Sequence, residues 1–283
     1  MEVTNDIATV RVIRRAQGAG TLGFVPTMGY LHEGHLELVR RARAENDHVA
    51  VSIYVNPLQF GPSEDLSRYP RDMERDLTLL SAEGVAFVFT PDDAIMYPPG
   101  FQTKVLISEV TQPLEGARRP THFAGVATVV AKLFNIVQPT RAYFGQKDAQ
   151  QAIVIRRLAR DLDFDLELII CPTVREPDGL AMSSRNKYLT AEQRAAAPAL
   201  YHALQAARAL WESGVRDGMR LRGAMEDVLA AEPLARPDYV SAADPDTLRE
   251  WDGAIPDGAS VLLSMAVYFG QTRLIDNVML AGA

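Results

Sequence analysis

At 283 residues the chain has room for about two domains. Its 47 % hydrophobic and 23 % charged residues describe a folded globular protein and exclude a disordered or collagen-like one. The net charge of −7, with a pI near 5.3, excludes a general polyanion binder, so nucleic acid is not an expected partner, whereas a small anion needs only a few cations focused in one cleft.

The first two-thirds of the chain alternates short apolar runs with helical patterns. Residues 21–26 read as a strand, 34–46 as a helix, and 49–55, rich in β-branched side chains, as a buried strand. A helix is expected over 71–82 and a strand over 85–89. Val126, Val129, Val130, Leu133, Phe134 and Val137 recur at three- and four-residue steps and mark one face of a helix. Residues 141–144 read as a short strand, Ile155, Leu158 and Leu162 as the apolar stripe of the next helix, and 166–171 as a closing strand. Strands separated by helices of this length imply βαβ crossovers, hence an α/β fold with a Rossmann-like parallel sheet and helices on both faces.

The pattern changes near Thr173, where Pro172 and Pro177 bracket an irregular segment. Thr190 with Gln193 is a capping-box signature, and the helix after it carries Leu200, Leu204, Ala207 and Trp211 on one face. A second helix carries Leu221, Met225 and Val228. Residues 239–242, 260–269 and 272–280 then read as strands without intervening helices, the last two joined by a tight turn at Gly270-Gln271. Two domains are expected: residues 1–173, the Rossmann-like one, and residues 174–283, a smaller α+β domain with an antiparallel sheet.

Cys171 has no partner for an intrachain disulfide and suits a reducing, cytoplasmic setting. Residues 1–6 show no basic segment leading into an apolar run, and the longest apolar stretch, near 261–269, is broken by Ser264 and falls short of the ~20 residues of a membrane span. No targeting segment and no membrane partner are expected, and no repeat is visible.

Four constellations carry chemistry. The first, 26–35, lies where a strand ends and a helix begins, a place that attracts phosphate through unpaired N–H groups and the helix dipole. Gly29 and Gly34 permit close backbone approach, and His32 and His35 can donate hydrogen bonds to phosphate oxygens. Their H-x-x-H spacing misses the H-E-x-x-H helix of zinc proteases; the alternative of one capping and one surface histidine is outweighed by the coincidence of strand end, glycines, histidines and helix start. The second, Met182-Ser183-Ser184-Arg185-Asn186, offers two hydroxyls and a guanidinium to a polyphosphate in a loop at the expected domain junction, or else is a polar turn. The third, Phe144 to Gln151, again sits at a strand end entering a helix, where parallel sheets bind ligands. There Lys147 supplies charge to phosphate, Asp148 accepts from a ribose hydroxyl, and Gln151 lies a turn deeper; the alternative is an exposed Lys-Asp pair. The fourth, Asn56-Pro57-Leu58-Gln59-Phe60-Gly61, puts neutral amides at the exit of another strand, suited to hydroxyl and carboxylate groups or simply to a turn. Residues 62–70 run polar and loop-like, the kind of segment that closes over a site, and Arg118, Arg119 and His122 form a smaller basic cluster.

The second constellation resembles the K-M-S-K-S loop of class I aminoacyl-tRNA synthetases. Paired with H-x-x-H after the first strand, it resembles the HxGH nucleotidyltransferase superfamily, which attacks the α-phosphate of ATP. Together with 56–60, 122–126, 144–148 and 272–277, the chain resembles the pantothenate synthetase (pantoate–β-alanine ligase) family over nearly its whole length. Tyr30 stands where a small residue is common in that family, and Thr121 where glycine is frequent.

The resemblance implies the reaction ATP + pantoate + β-alanine → AMP + pyrophosphate + pantothenate, a homodimer, and Mg²⁺ carried on the nucleotide. It implies an ATP site formed by Met28, Gly29, Tyr30, Leu31, His32, Glu33, Gly34, His35, Gly145, Gln146, Lys147, Asp148, Val174, Met182, Ser183, Ser184 and Arg185. It further implies that His35 acts as a proton donor, that Gln59 and Gln151 hold pantoate, and that Gln59 also meets β-alanine. Catalysis would fall to His32, His35, Lys147 and Arg185, because two anions must be aligned and their charge neutralised. No protein nucleophile is required. The β-alanine amine, with a pKa near 10 by analogy with lysine, must lose a proton to a water or to a phosphate oxygen of the intermediate. Two other readings stay open: a nucleotidyltransferase with a phosphorylated acceptor, and a non-catalytic nucleotide-binding regulator.

Overall fold

A computed structural model describes every residue except Ser63, Asp65 and Ala283. Its contacts divide into two units, one of residues 1–146 and 150–172, the other of 147–149 and 173–283.

In the first unit six strands form one parallel sheet: β1 (Glu2–Thr4), β2 (Leu22–Thr27), β3 (His48–Ile53), β4 (Phe87–Phe89), β5 (Arg141–Gly145) and β6 (Glu167–Cys171), in the order β1-β4-β3-β2-β5-β6. Its helices are α1 (Ile7–Ala16), α2 (Glu33–Glu45), α3 (Met73–Ala82), the short α4 (Asp93–Met96) and α5 (Glu115–Arg118), α6 (His122–Val137) and α7 (Ala149–Asp161). Alternate strand residues face opposite ways. Val49, Val51 and Ile53 join Val39, Ala42 and Leu80 under α2 and α3, while Phe24, Ala50, Phe87 and Phe89 join Val10, Phe134, Ile155 and Leu158 under α1, α6 and α7. Covering both faces is why the strands read as continuous apolar runs.

The differences from the sequence expectation have local causes. The β1 strand is three residues long, with Glu2 and Val3 exposed, so it carries no periodic signal; neither it nor α1 was anticipated. Leu162 falls beyond the end of α7 and is 53 % exposed, so it does not belong to the apolar stripe. Thirteen of the sixteen α6 residues are buried, so the helix has no solvent face to set off the expected stripe.

In the second unit α8 (Ala191–Ala196), α9 (Ala199–Glu212) and α10 (Gly218–Ala230) precede an antiparallel sheet of β7 (Ala235–Ala243), β8 (Val261–Phe269) and β9 (Thr272–Leu280), ordered β7-β8-β9. Leu200, Leu204, Trp211, Leu221 and Met225 pack with Leu263, Met265, Val267 and Phe269 in one core. The Thr190–Gln193 capping box forms, with reciprocal bonds of 3.1 and 3.3 Å. The single helix expected after it is two, because Pro198 cannot continue the hydrogen-bond ladder from α8. The β7 strand begins four residues earlier than expected and accommodates Pro237 at an edge through a register shift beside Tyr239.

Candidate active site

Three neighbouring strands, β3, β2 and β5, release the chain into three of the constellations: 56–59 after β3, 28–35 after β2 and 145–148 after β5. From β2 the sheet is extended on one side by β3 and β4 and on the other by β5 and β6. The carboxyl-end crevice at such a reversal is where open α/β sheets take ligands.

The segment after β2 begins with a turn in which Gly29 (φ +82°) and Tyr30 (φ +52°) are both left-handed. A buried carboxylate holds it: Asp76 on α3, 1 % exposed, accepts from the Tyr30 N–H at 2.6 Å and from the Leu31 N–H at 2.8 Å. Burial pushes the Asp76 carboxyl above its ordinary range, against the pull of those two donors. Arg75 donates to the Leu31 carbonyl at 2.9 Å and lies 5.7 Å from the Tyr30 ring centre. A Cβ on Gly29 would come within 2.9 Å of Ile53 Cγ2 and 3.1 Å of Asp76 Oδ2. The sequence reading missed Asp76 and Arg75, which sit inside an ordinary helical pattern and belong to no motif.

The two histidines form the cap of α2. His32 Nδ1 accepts from the Gly34 N–H at 3.2 Å, and His35 Nδ1 accepts from the His32 N–H at 3.3 Å. A reciprocal cap of this kind is ordinarily built from Ser or Thr with Glu or Gln; here two imidazoles make it, with ring centres 4.1 Å apart. A neutral imidazole that accepts at Nδ1 carries its proton at Nε2. Each ring therefore carries its donor at Nε2–H. The N–H groups of His35 and Leu36 bond the His32 carbonyl at 2.8 and 3.2 Å. Anion-directed donors in this segment are therefore chiefly imidazole rather than backbone. Leu31 is 1 % exposed in the core, and Glu33 is exposed and ion-paired with Arg40.

After β3, Gln59 is pinned from several sides. Its Nε2 donates to Met28 Sδ at 2.9 Å, and its Oε1 accepts from Asn56 Nδ2 at 3.1 Å. Its carbonyl accepts from His122 Nδ1 at 2.9 Å and Arg119 Nη2 at 3.4 Å, and Arg119 pairs with Glu64 at 2.6 Å. The turn lies directly on α6: a Cβ on Gly125 would fall 2.3 Å from the Leu58 carbonyl oxygen. His122, 8 % exposed, donates from Nδ1 and so faces Arg119 Nη1 with an accepting Nε2 at 3.2 Å. Burial, then the Arg119 charge, lowers its pKa from 6.5 to about 4, so it is neutral at pH 7. Within 62–70, Ser63 and Asp65 lie outside the described residues; Leu66–Arg68 is one 3₁₀ turn, and Tyr69 is buried edge-on to Phe60.

After β5, Gly145 faces open space, since a Cβ there would meet nothing within 4 Å. Gln146 follows, half-buried. Of the two glutamines at the start of α7, Gln150 spends its amide on the Val110 and Pro113 carbonyls (both 2.9 Å) and the Glu115 N–H (3.0 Å). Gln151 is half-buried in the same first turn.

In the second unit, the Val174 carbonyl accepts from the Met182 N–H at 3.0 Å, closing a loop, and Ser183 Oγ accepts from the Arg185 N–H at 3.2 Å to start the 3₁₀ turn Ser184–Tyr188. Asn186 ties this turn to Glu176 at 2.9 Å and to the Ala181 carbonyl at 3.1 Å. Arg175 grips Asp276 through both Nη atoms at 2.6 and 2.9 Å, and Asn277 Nδ2 donates to the Lys147 carbonyl at 2.8 Å. Two consecutive β9 residues thus anchor both Lys147 and the 175–186 loop, which groups 147–149 with this unit rather than with the strand they follow. Lys147 Nζ lies 3.8 Å from Asp148, which is half exposed. The motif Thr272 to Asn277 is visible in sequence, but its anchoring role is not.

Among the described residues no group of three or more His, Cys, Asp or Glu side chains is disposed to hold a metal ion, and no helix is long and apolar enough to cross a membrane.

Fold and motifs define an α/β protein whose candidate functional segments lie at the carboxyl ends of neighbouring parallel strands. The pantoate-beta-alanine ligase family model matches residues 2–279. The pantothenate synthetase of Chloroflexus aurantiacus is 63 % identical over 275 residues, covering 97 % of each chain, and that of Roseiflexus castenholzii is 62 % identical, covering 97 % of this chain and 98 % of its own. The crystal structure of pantothenate synthetase from Thermus thermophilus superposes with a TM-score of 0.91 at 50 % identity, covering 98 % of this chain and 99 % of that one. A Francisella tularensis pantoate-beta-alanine ligase, complexed with beta-gamma ATP and beta-alanine, gives 0.79 at 33 % identity, with 99 % and 97 % covered. The chain belongs to the pantoate–β-alanine ligase family and is a carbon–nitrogen ligase that condenses pantoate with β-alanine. The resemblance read from its motifs is borne out.

Proposed function

We propose that ATP drives this ligation in two steps at the carboxyl edge of the first sheet. A carboxylate is a poor acyl donor because its oxygen does not leave. The pantoate carboxylate attacks the α-phosphorus, forming pantoyl adenylate and expelling pyrophosphate; the β-alanine amine then attacks the acyl carbon, and AMP leaves. Both reactants of the first step are anions, so the work is alignment and charge neutralisation. The observation that carries this reading is the His32–His35 pair, whose ring centres lie 4.1 Å apart at a helix start and whose Nδ1 atoms both accept from backbone N–H groups, which leaves Nε2–H as the donor of each ring. They stabilise charge on the phosphate oxygens, and His35 acts as a donor by hydrogen-bonding its Nε2–H to the departing pyrophosphate, the proton staying on the ring.

Lys147 and Arg185 add cationic contacts to the phosphates, Ser183 and Ser184 hydroxyl donors. Met28, Gly29, Tyr30, Gly145, Gln146, Asp148, Val174 and Met182 complete the ATP site, with Leu31, Glu33 and Gly34 contributing as the scaffold of the turn and cap. Gln59 and Gln151 hold pantoate, and Gln59 also meets β-alanine. Mg²⁺ would accompany the nucleotide, held by phosphate oxygens and water rather than by a dedicated protein cage, and would neutralise phosphate charge. The working enzyme is a cytoplasmic homodimer, with residues 1–173 forming the nucleotide- and pantoate-binding domain and 174–283 the domain that carries the Ser183–Arg185 loop.

Pantoate-dependent ATP–pyrophosphate exchange in the absence of β-alanine tests the route. Wild-type protein should exchange, and His35→Ala should lose about 10² to 10³ in rate, as for other aligned charge-stabilising donors. A folded His35→Ala protein that exchanges at the wild-type rate removes this role for His35.

A further inference from the structure

Asn56 and Gln59 are joined to a third residue that no motif contains. Tyr97, half-buried just past α4, donates its hydroxyl to Asn56 Oδ1 at 2.7 Å. The Leu58 N–H meets the same oxygen at 3.3 Å. On its other side Asn56 donates from Nδ2 to Gln59 Oε1 at 3.1 Å and to the Gly125 carbonyl at 3.2 Å. The Asn56 side chain, 1 % exposed, thus fills all four hydrogen-bonding positions of its amide, and only one of its two flipped orientations satisfies them. Reversal would set its NH₂ against the Leu58 N–H and its oxygen against the Gly125 carbonyl, and the Tyr97 hydroxyl completes the acceptor side of the orientation that is kept.

That orientation propagates. With Oε1 accepting from Asn56, the orientation of the Gln59 amide is fixed, and its Nε2 carries the N–H groups left for a ligand. One of these meets Met28 Sδ at 2.9 Å, and the other has no partner among the described residues. We infer that Tyr97 is a positioning residue that braces Asn56 and, through it, holds Gln59 with an N–H available to an anionic or hydroxyl oxygen of pantoate. The inference rests on the reading of Gln59 as a pantoate ligand and adds the polarity of that contact. Burial, with Asp93 nearby, holds the Tyr97 hydroxyl well above its ordinary pKa of 10.0, so it remains a donor across the working pH range. The neighbouring Tyr54 spends its own hydroxyl on Asp93 at 2.8 Å and does not compete for Asn56.

Tyr97→Phe tests this with little disturbance, because the ring keeps its packing against Phe101, 5.1 Å away by centroid, and loses only the hydroxyl. Steady-state KM values for pantoate and ATP are measured for wild type, Tyr97→Phe, Gln59→Leu and the double variant, with melting temperatures as a check on folding. The expected result is a pantoate KM raised about tenfold in Tyr97→Phe, the scale of one hydrogen bond to a charged group, with the ATP KM within about twofold of wild type. Because Tyr97 acts through Gln59, Tyr97→Phe should add nothing in the Gln59→Leu background, a non-additivity that a merely structural role would not produce. An unchanged pantoate KM in Tyr97→Phe, with a raised one in Gln59→Leu, overturns the positioning role and leaves Gln59 as a ligand. A Tyr97→Phe effect that persists undiminished on top of Gln59→Leu overturns it as well. An unchanged pantoate KM in Gln59→Leu removes Gln59 from the pantoate site and the inference with it.

Discussion

His122 makes the folded protein sensitive to acid in a defined window. It is buried, donates from Nδ1 to the Gln59 carbonyl, and faces the Arg119 guanidinium with Nε2. A second proton would lie on that Nε2, against another donor and a like charge. The folded pKa of about 4 lies below the ordinary 6.5, so between these values the unfolded chain binds the proton and the folded chain does not. Stability is therefore complete above pH 6.5 and is lost as pH falls from 6.5 towards 4. At 1.36 kcal/mol per pH unit the whole span is worth ~3 kcal/mol, and the part between about pH 7 and pH 5 is ~2 kcal/mol. The perturbation is His122→Asn, whose amide nitrogen can keep the bond to the Gln59 carbonyl while removing the titrating ring. Urea unfolding at the two pH values gives the difference for each protein, and carboxylates common to both cancel when the differences are compared. Wild type should lose about 2 kcal/mol more than His122→Asn on going from pH 7 to 5. Equal losses would refute the argument that His122 is held neutral by its surroundings.

The Arg175–Asp276 pair predicts a different asymmetry. Asp276→Ala leaves a guanidinium without its carboxylate and should cost about 3–5 kcal/mol, whereas the apolar exchange Arg175→Met with Asp276→Leu should cost much less; denaturant midpoints compare them, and equal losses would count against a paired buried charge. At Gly29, the left-handed backbone and the tight approach of Ile53 and Asp76 make Gly29→Ala destabilising by about 2 kcal/mol. Differential scanning calorimetry checks that value, and a melting temperature equal to wild type would show that the turn tolerates a side chain.

Much of the architecture was legible in the chain itself. Strands buried on both faces announce themselves as apolar runs, as in β3 from His48 to Ile53, and the crossover rule converts alternating strands and helices into a parallel sheet. Glycines and histidines packed between β2 and α2 could be recognised because phosphate chemistry, strand end and helix start coincide within ten residues. Weak or absent periodicity hid other elements: β1 is too short to alternate, and α8, six residues long, ends before Pro198 without an apolar stripe of its own.

What the tertiary structure alone decided is how these groups are aimed. Asp76 lies 46 residues from the Tyr30 N–H it holds, Tyr97 41 residues from Asn56, and Asn277 130 residues from the Lys147 carbonyl. The sequence lists which donors and acceptors exist, but an amide or an imidazole can face either way, and local spacing does not choose. The choice is made by partners brought up from distant elements, because a buried polar atom left unpaired costs more free energy than the bond itself contributes in water. Residue identity therefore carried the chemistry of the site in one dimension, while its polarity, with His32 and His35 presenting Nε2–H and Gln59 presenting N–H, exists only once β2, β3, α3 and the turn after α4 are folded against one another.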